Sequence, residues 1–139
     1  MAASERLHVG LRLGAATRGA FVAALLALAT LAVAGEAPYT PAALERALAA
    51  GTPTIVHVRA SWCPTCKAQQ PIVDALLHEP KRKDLLVLAA DYDTESALKK
   101  RLRVAQQSTF VVFRKGKEVA RSTGETNKQA IAALFDQAL

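Results

Sequence analysis

The chain has 139 residues, and once an N-terminal leader of about 34 is set aside, roughly a hundred remain, enough for one small domain and too few for a second. Hydrophobic residues make up 51% and aromatics 5%, so the core is expected from Val, Leu, Ile and Ala with a handful of Phe. The formal charge of +6 is carried partly by Arg6, Arg12 and Arg18 of the leader, and the basic runs Lys81-Arg82-Lys83 and Lys99-Lys100-Arg101 have no interleaved aromatic platform, so they read as solvated faces and argue against nucleic acid as a partner.

Residues 1–34 read as an export signal. A leader bearing Arg6, Arg12 and Arg18 precedes an uncharged Ala, Leu and Val run from Gly19 to Ala34, and Ala32-Val33-Ala34 offers the small residues that signal peptidase reads, placing cleavage before Gly35. The alternative is an uncleaved anchor, but a run of this length rises about 24 Å as a helix, short of the roughly 30 Å hydrocarbon core. No Cys stands near the cleavage point for lipid attachment, and no adjacent Arg pair suggests the twin-arginine route.

Beyond the leader, Glu36 to Tyr39 reads as a linker. Thr40 caps a helix from Pro41 to Ala50 that Gly51 ends, and the β-branched run Thr54 to Ala60 is a central strand. The next helix starts at about Cys63 and runs toward His78, with Ile72, Val73, Leu76 and Leu77 as its apolar side and Pro71 as a kink. Leu85 to Ala90 is a strand, Asp93 caps a helix reaching Arg103, and Thr109 to Phe113 pairs through Lys115-Gly116 with Lys117 to Arg121 as a hairpin. Thr126 and Gln129 have capping-box spacing for a last helix that turns Ile131, Leu134 and Phe135 inward. Helices interleaved with strands, then a hairpin covered by a helix, predict an α/β three-layer sandwich: a mixed four-stranded sheet flanked by helices.

The segment Trp62-Cys63-Pro64-Thr65-Cys66 at a strand-to-helix junction, Pro71 five residues after Cys66, and the Thr109 to Phe113 strand followed by Lys115-Gly116 and Gly124 together resemble the thioredoxin family. The resemblance covers Pro41 to Leu139, and it implies a thioredoxin-like domain over residues 35–139. It also implies substrate contacts at Trp62, Pro64, Thr65, Ser108 and Thr109, protein disulfides or dithiols as substrates, and an electron donor that is another protein or a membrane carrier.

The cysteines carry the chemistry. Two Cys at i and i+3 in the first turn of a helix share a face and can close a small ring without unfolding anything. Cys63, at the exposed helix end, is favoured as a thiolate by unpaired N–H groups and the macrodipole, which makes it the nucleophile and Cys66 the resolving thiol. A structural disulfide closing so short a ring would stabilise little. Half a zinc site would need further ligands, and the chain offers only His8, His57 and His78. No metal is expected, and no cofactor beyond the redox-active Cys63–Cys66 disulfide.

Two positions depart from the family. His57 stands where the family has a buried Asp beneath the Cys pair; it is either a proton acceptor for Cys66 or a core histidine. Arg59, where an aromatic is common, reads as a snorkelling surface residue, the alternative being a guanidinium that steadies a thiolate. Ser108 replaces the family's cis-proline before Thr109, so the Gln107–Ser108 bond is expected to be trans, with altered substrate grip, room for a metal ion, or no more than a harmless local variation as the consequence. The expected function is thiol–disulfide exchange in an exported compartment such as the bacterial periplasm, with a reductant favoured and an oxidase as the main enzymatic alternative. A domain anchored in the inner membrane, or a non-catalytic metal- or protein-binding module, is the alternative.

Overall fold

The computed structural model describes residues 35–139, so the expected export signal, or anchor, at 1–34 lies outside the described residues. The elements are β1 (Ala37–Pro38), α1 (Pro41–Ala50), β2 (Thr54–Arg59), α2 (Pro64–Leu77), a short 3₁₀ turn (Pro80–Arg82), β3 (Leu86–Asp91), α3 (Ser96–Leu102), β4 (Thr109–Arg114), β5 (Lys117–Thr123) and α4 (Lys128–Asp136). The sheet order is β1-β3-β2-β4-β5. β1, β3 and β2 run parallel, whereas β4 is antiparallel to both β2 and β5. Among the described residues, no helix is long and apolar enough to cross a membrane.

The expected sandwich is therefore present, with five strands instead of four. The added strand comes from the stretch expected to be a linker. Ala37 pairs with Leu88 and Pro38 with Ala89, and Tyr39 N–H donates to the Ala89 carbonyl at 2.8 Å. Two residues carry no alternation to read, and Pro38 offers no N–H, so only the edge of β3 makes this segment a strand.

Local chemistry explains the helix ends. Thr40 Oγ1 accepts from Ala43 N–H at 3.0 Å, and Gly51 closes α1 at φ +68°, as expected. Asp93 does not cap α3. Asp91 Oδ1 takes the Asp93 and Thr94 N–H groups at 2.8 and 3.0 Å, so the chain turns there and α3 starts only at Ser96. Thr126 and Gln129 do not form a capping box either. Asn127, a stronger cap one residue later, accepts from Ala130 N–H at 3.0 Å, and Glu125 Oε1 holds the Thr126 and Asn127 N–H groups. Nor is the first basic run wholly solvated: Arg82 is buried and pairs with Glu79 and, at 2.6 Å, with Asp136 of α4.

Side chains alternate across the sheet and fill two cores. Ile55, Val87, Phe110 and Val112 meet Val73 and Leu76 of α2 and Ile131 and Phe135 of α4. Val56, Val58, Leu88, Val111 and Phe113 meet Leu44 of α1 and Leu98 and Leu102 of α3. β2 thus lies at the centre of the sheet, and its C-terminal end delivers the chain to the start of α2.

Candidate active site

The strand-to-helix junction puts Cys63 in the cap position of α2, with Pro64 pre-set for the first helical residue. The Cys63 sulfur does the capping itself, accepting from Cys66 N–H at 3.1 Å. The two thiols are free, their sulfurs are 2.6 Å apart, and the Cys66 thiol donates to Cys63. Cys63 is not the exposed partner that its place at the helix end predicts. Cys63 is 1% exposed and Cys66 4%, packed with Ala60 and Tyr92.

Hydrogen bonding, rather than exposure, makes the two sulfurs unequal. Burial works against a Cys63 thiolate, but donation from the Cys66 thiol, the Ser108 hydroxyl and the Cys66 and Thr65 N–H groups outweighs it and holds the Cys63 pKa below the ordinary thiol value. Burial, and its own donation to Cys63, push the Cys66 thiol up. The two sulfurs are thereby set apart, with Cys63 the more acidic of the pair.

Ser108 arrives from the opposite side, just ahead of β4. Its hydroxyl lies 3.0 Å from the Cys63 sulfur and 3.2 Å from that of Cys66. No peptide bond among the described residues is cis, so the Gln107–Ser108 bond is trans as expected. The departure from the family is one of backbone as well as side chain: Ser108 has φ +60°, which a proline ring cannot adopt. Where proline would present a ring, this loop presents a hydroxyl to both sulfurs.

Of the remaining expected site residues, Trp62 is 55% exposed beside the pair, with its indole N–H donating to Asp93 at 2.9 Å. Pro64 is exposed and Thr65 half-buried on the first turn of α2. Thr109 is buried, and its hydroxyl is engaged with the Gln106 carbonyl and Thr123, so it holds the loop in place. His57 is fully buried, and both ring nitrogens are occupied, Nδ1 by Glu36 at 2.5 Å and Nε2 by Gln69 at 3.0 Å. The Arg59 side chain is 43% exposed, but its guanidinium turns to Glu36 and Gln70 instead of standing free in water as a snorkelling residue's would. Among the described residues, no group of three or more His, Cys, Asp or Glu side chains is arranged to hold a metal.

Sequence reasoning missed Glu36, Gln69 and Asp93. Gln69 left a signal, a polar residue on the buried stripe of α2 that runs Cys66, Gln69, Val73 and Leu76. Glu36 left none, because its partner His57 lies 21 residues away.

The family model for thioredoxin matches residues 37–137. The chain belongs to the thioredoxin family. Trxlp from Edwardsiella tarda, known from its crystal structure, is 42% identical, with 70% of this chain and 95% of that one covered and a TM-score of 0.69. Thioredoxin from Mycobacterium bovis is 30% identical over 84 residues, 60% of this chain and 72% of its own length. The chain spans only 18% of the bifunctional thioredoxin reductase/thioredoxin of Mycobacterium leprae, to which it is also 30% identical. Thioredoxin from Trypanosoma brucei brucei, 20% identical with a TM-score of 0.62 over 71% of this chain and 85% of that one, shares the fold. With Cys63 and Cys66 together at the head of α2, this member of the family is a thiol–disulfide oxidoreductase.

Proposed function

We propose that this thioredoxin-family protein reduces protein disulfides outside the cytoplasm and is itself re-reduced by the thiols of a membrane or protein electron donor. The reading is carried by the asymmetry of the pair, in which the Cys63 sulfur accepts from the Cys66 thiol and the Cys66 N–H, with the Ser108 hydroxyl 3.0 Å away. The Cys63 thiolate attacks one sulfur of a substrate disulfide, and the other leaves as a thiolate that takes up a proton. Cys66 then loses its proton and attacks the Cys63 sulfur, which frees the second substrate thiol and leaves the Cys63–Cys66 disulfide. Two electrons pass to the substrate, and a second dithiol restores the pair.

The reductive direction is supported by the thioredoxins among its relatives, and export by the leader with its Ala32-Val33-Ala34 cleavage pattern. Exposed Trp62, with Pro64 and Thr65 beside it, gives an extended substrate an apolar landing surface next to the sulfurs. Equilibration against a glutathione buffer tests the direction: a reductant has a potential nearer about −270 mV than about −120 mV, the range of a strong oxidant. A value at the oxidising end would reverse the proposed electron flow. Sequencing the N-terminus of the protein recovered from its host tests export, with Gly35 expected as the first residue.

A further inference from the structure

Beneath the cysteines, buried polar residues form one hydrogen-bonded line, and its neutral member fixes where the protons are. Gln69 Nε2 donates to two carbonyls, Ser108 at 3.3 Å and Glu125 at 2.8 Å, so its amide can be oriented in only one way. Its Oε1 then faces His57 Nε2 at 3.0 Å as an acceptor, and Nε2 must carry hydrogen. The other ring nitrogen lies 2.5 Å from Glu36 Oε1, a separation that needs a proton between the two atoms. His57 therefore has no free lone pair with which to take a proton from Cys66.

The surroundings favour leaving that second proton on nitrogen. The Arg59 guanidinium stands 3.4 Å from the other Glu36 oxygen. Burial opposes charge on Glu36, but its hydrogen bond to His57 and the charges of His57 and Arg59 outweigh this and hold the carboxyl below its ordinary range. The other groups facing the pair are Gln69 and Gln70 on α2, the Phe110 ring on β4 with its centroid 4.3 Å from that of His57, and Ala89 alongside on β3, all uncharged.

We propose that Glu36 is a positioning residue for the exchange reaction: it keeps His57 as a doubly protonated imidazolium, and this ion pair, acting through Gln69, holds and polarises the Ser108 segment that presents its hydroxyl to both sulfurs. Both donors in the line, His57 Nε2–H and Gln69 Nε2–H, point toward Ser108, and hydrogen bonds aligned in this way strengthen one another. The Ser108 carbonyl is clamped from a second side by Gly124 N–H at 2.9 Å. A residue with a Cβ keeps φ +60° only when its surroundings over-determine it, and this clamp does so. The inference rests on thiol–disulfide exchange at Cys63 and is independent of the direction of electron flow.

The test pairs a direct reading of the ring with a reading of the sulfur, on the full chain. Nitrogen-15 NMR of wild type should show both ring nitrogens of His57 protonated at neutral pH, and Glu36→Gln should strip the proton from Nδ1. In the same variant, the pH profile of Cys63 alkylation by iodoacetamide should move upward, with alkylation several-fold slower at neutral pH, and Glu36→Asp should fall between the two. Should Glu36→Gln not fold, the wild-type spectrum still decides the state of His57. Gln69→Leu then decides the coupling, because it should leave His57 doubly protonated while moving the Cys63 profile upward. The inference is overturned by an unprotonated Nδ1 in wild type, by a Glu36→Gln protein that keeps Nδ1 protonated, or by a Cys63 profile unmoved in the variant that folds.

Discussion

The two faces of the sheet are filled by different chemistry. Toward α1 and α3, Leu44, Val56, Val58, Leu88, Leu98, Leu102, Val111 and Phe113 form an apolar cluster, and the buried hydroxyls of Thr54 and Thr109, at the starts of β2 and β4, are each bonded to a nearby carbonyl. Toward α2 and α4, the apolar cluster around Ile55, Phe110 and Phe135 gives way at the sulfur end to His57 and Gln69, both fully buried. An unpaired buried polar group costs roughly 2–7 kcal/mol, so such an insertion survives only with its partners in place. Here His57 and Gln69 each bond on both sides, and the line ends at the reactive sulfurs. One face keeps its buried polar groups to the starts of its strands; the other gives up apolar packing beside the sulfurs.

The sharpest way to break this comparison is at the sulfurs. Cys63→Ser should abolish exchange completely, while Cys66→Ser should form mixed disulfides that persist on a non-reducing gel. Measurable turnover of a model disulfide by Cys63→Ser would put the nucleophile elsewhere.

A pair of substitutions, one per face, comes next. His57→Ala leaves Glu36 buried without its partner and should cost about 3–5 kcal/mol in urea unfolding. Leu44→Ala, at a fully buried site on the other face, should cost a similar 2–5 kcal/mol or so. Only the first should displace the pH profile of Cys63 alkylation. If Leu44→Ala displaces it equally, the two faces are not functionally separate.

Part of this difference between the faces was legible in the sequence. The spacing of Cys63, Cys66 and Pro71 and the apolar runs of β2 and β4 are local patterns, and each element they predict is present to within a residue or two at its ends. What escaped depends on distant partners. β1 exists because Leu88 and Ala89 lie beside it, and the role of Asp93 changed because Asp91 won the turn and left Asp93 to Trp62. Ser108 stood out as a missing proline, but its contact with both sulfurs follows from a left-handed backbone that no residue pattern announces.

Smaller effects sharpen the picture of the polar face. Because the folded protein holds the Glu36 carboxyl below its ordinary range, its contribution to stability is present above that range and is lost as pH falls through the folded value. The stability gap between wild type and Glu36→Gln should therefore be widest near neutral pH and close in acid, as followed by urea unfolding across pH. A constant gap would mean that the carboxylate charge is irrelevant. Ser108→Gly should have the least effect on the fold, since glycine accepts φ +60° freely and only the hydroxyl is lost. It should still raise the pH at which Cys63 becomes reactive, measured by alkylation, and an unchanged profile would remove Ser108 from the thiolate's stabilisation.

The central claim is that hydrogen bonds from Cys66, Ser108 and the first turn of α2 make Cys63, although buried, the thiolate of the pair. The most direct measurement is brief alkylation of the fully reduced protein across pH, with peptide mass spectrometry assigning the modified sulfur. The account predicts that Cys63 is labelled first and titrates below the ordinary thiol range, with Cys66 unlabelled until higher pH. Labelling of Cys66 first, or of both thiols together at ordinary thiol pH, would contradict it.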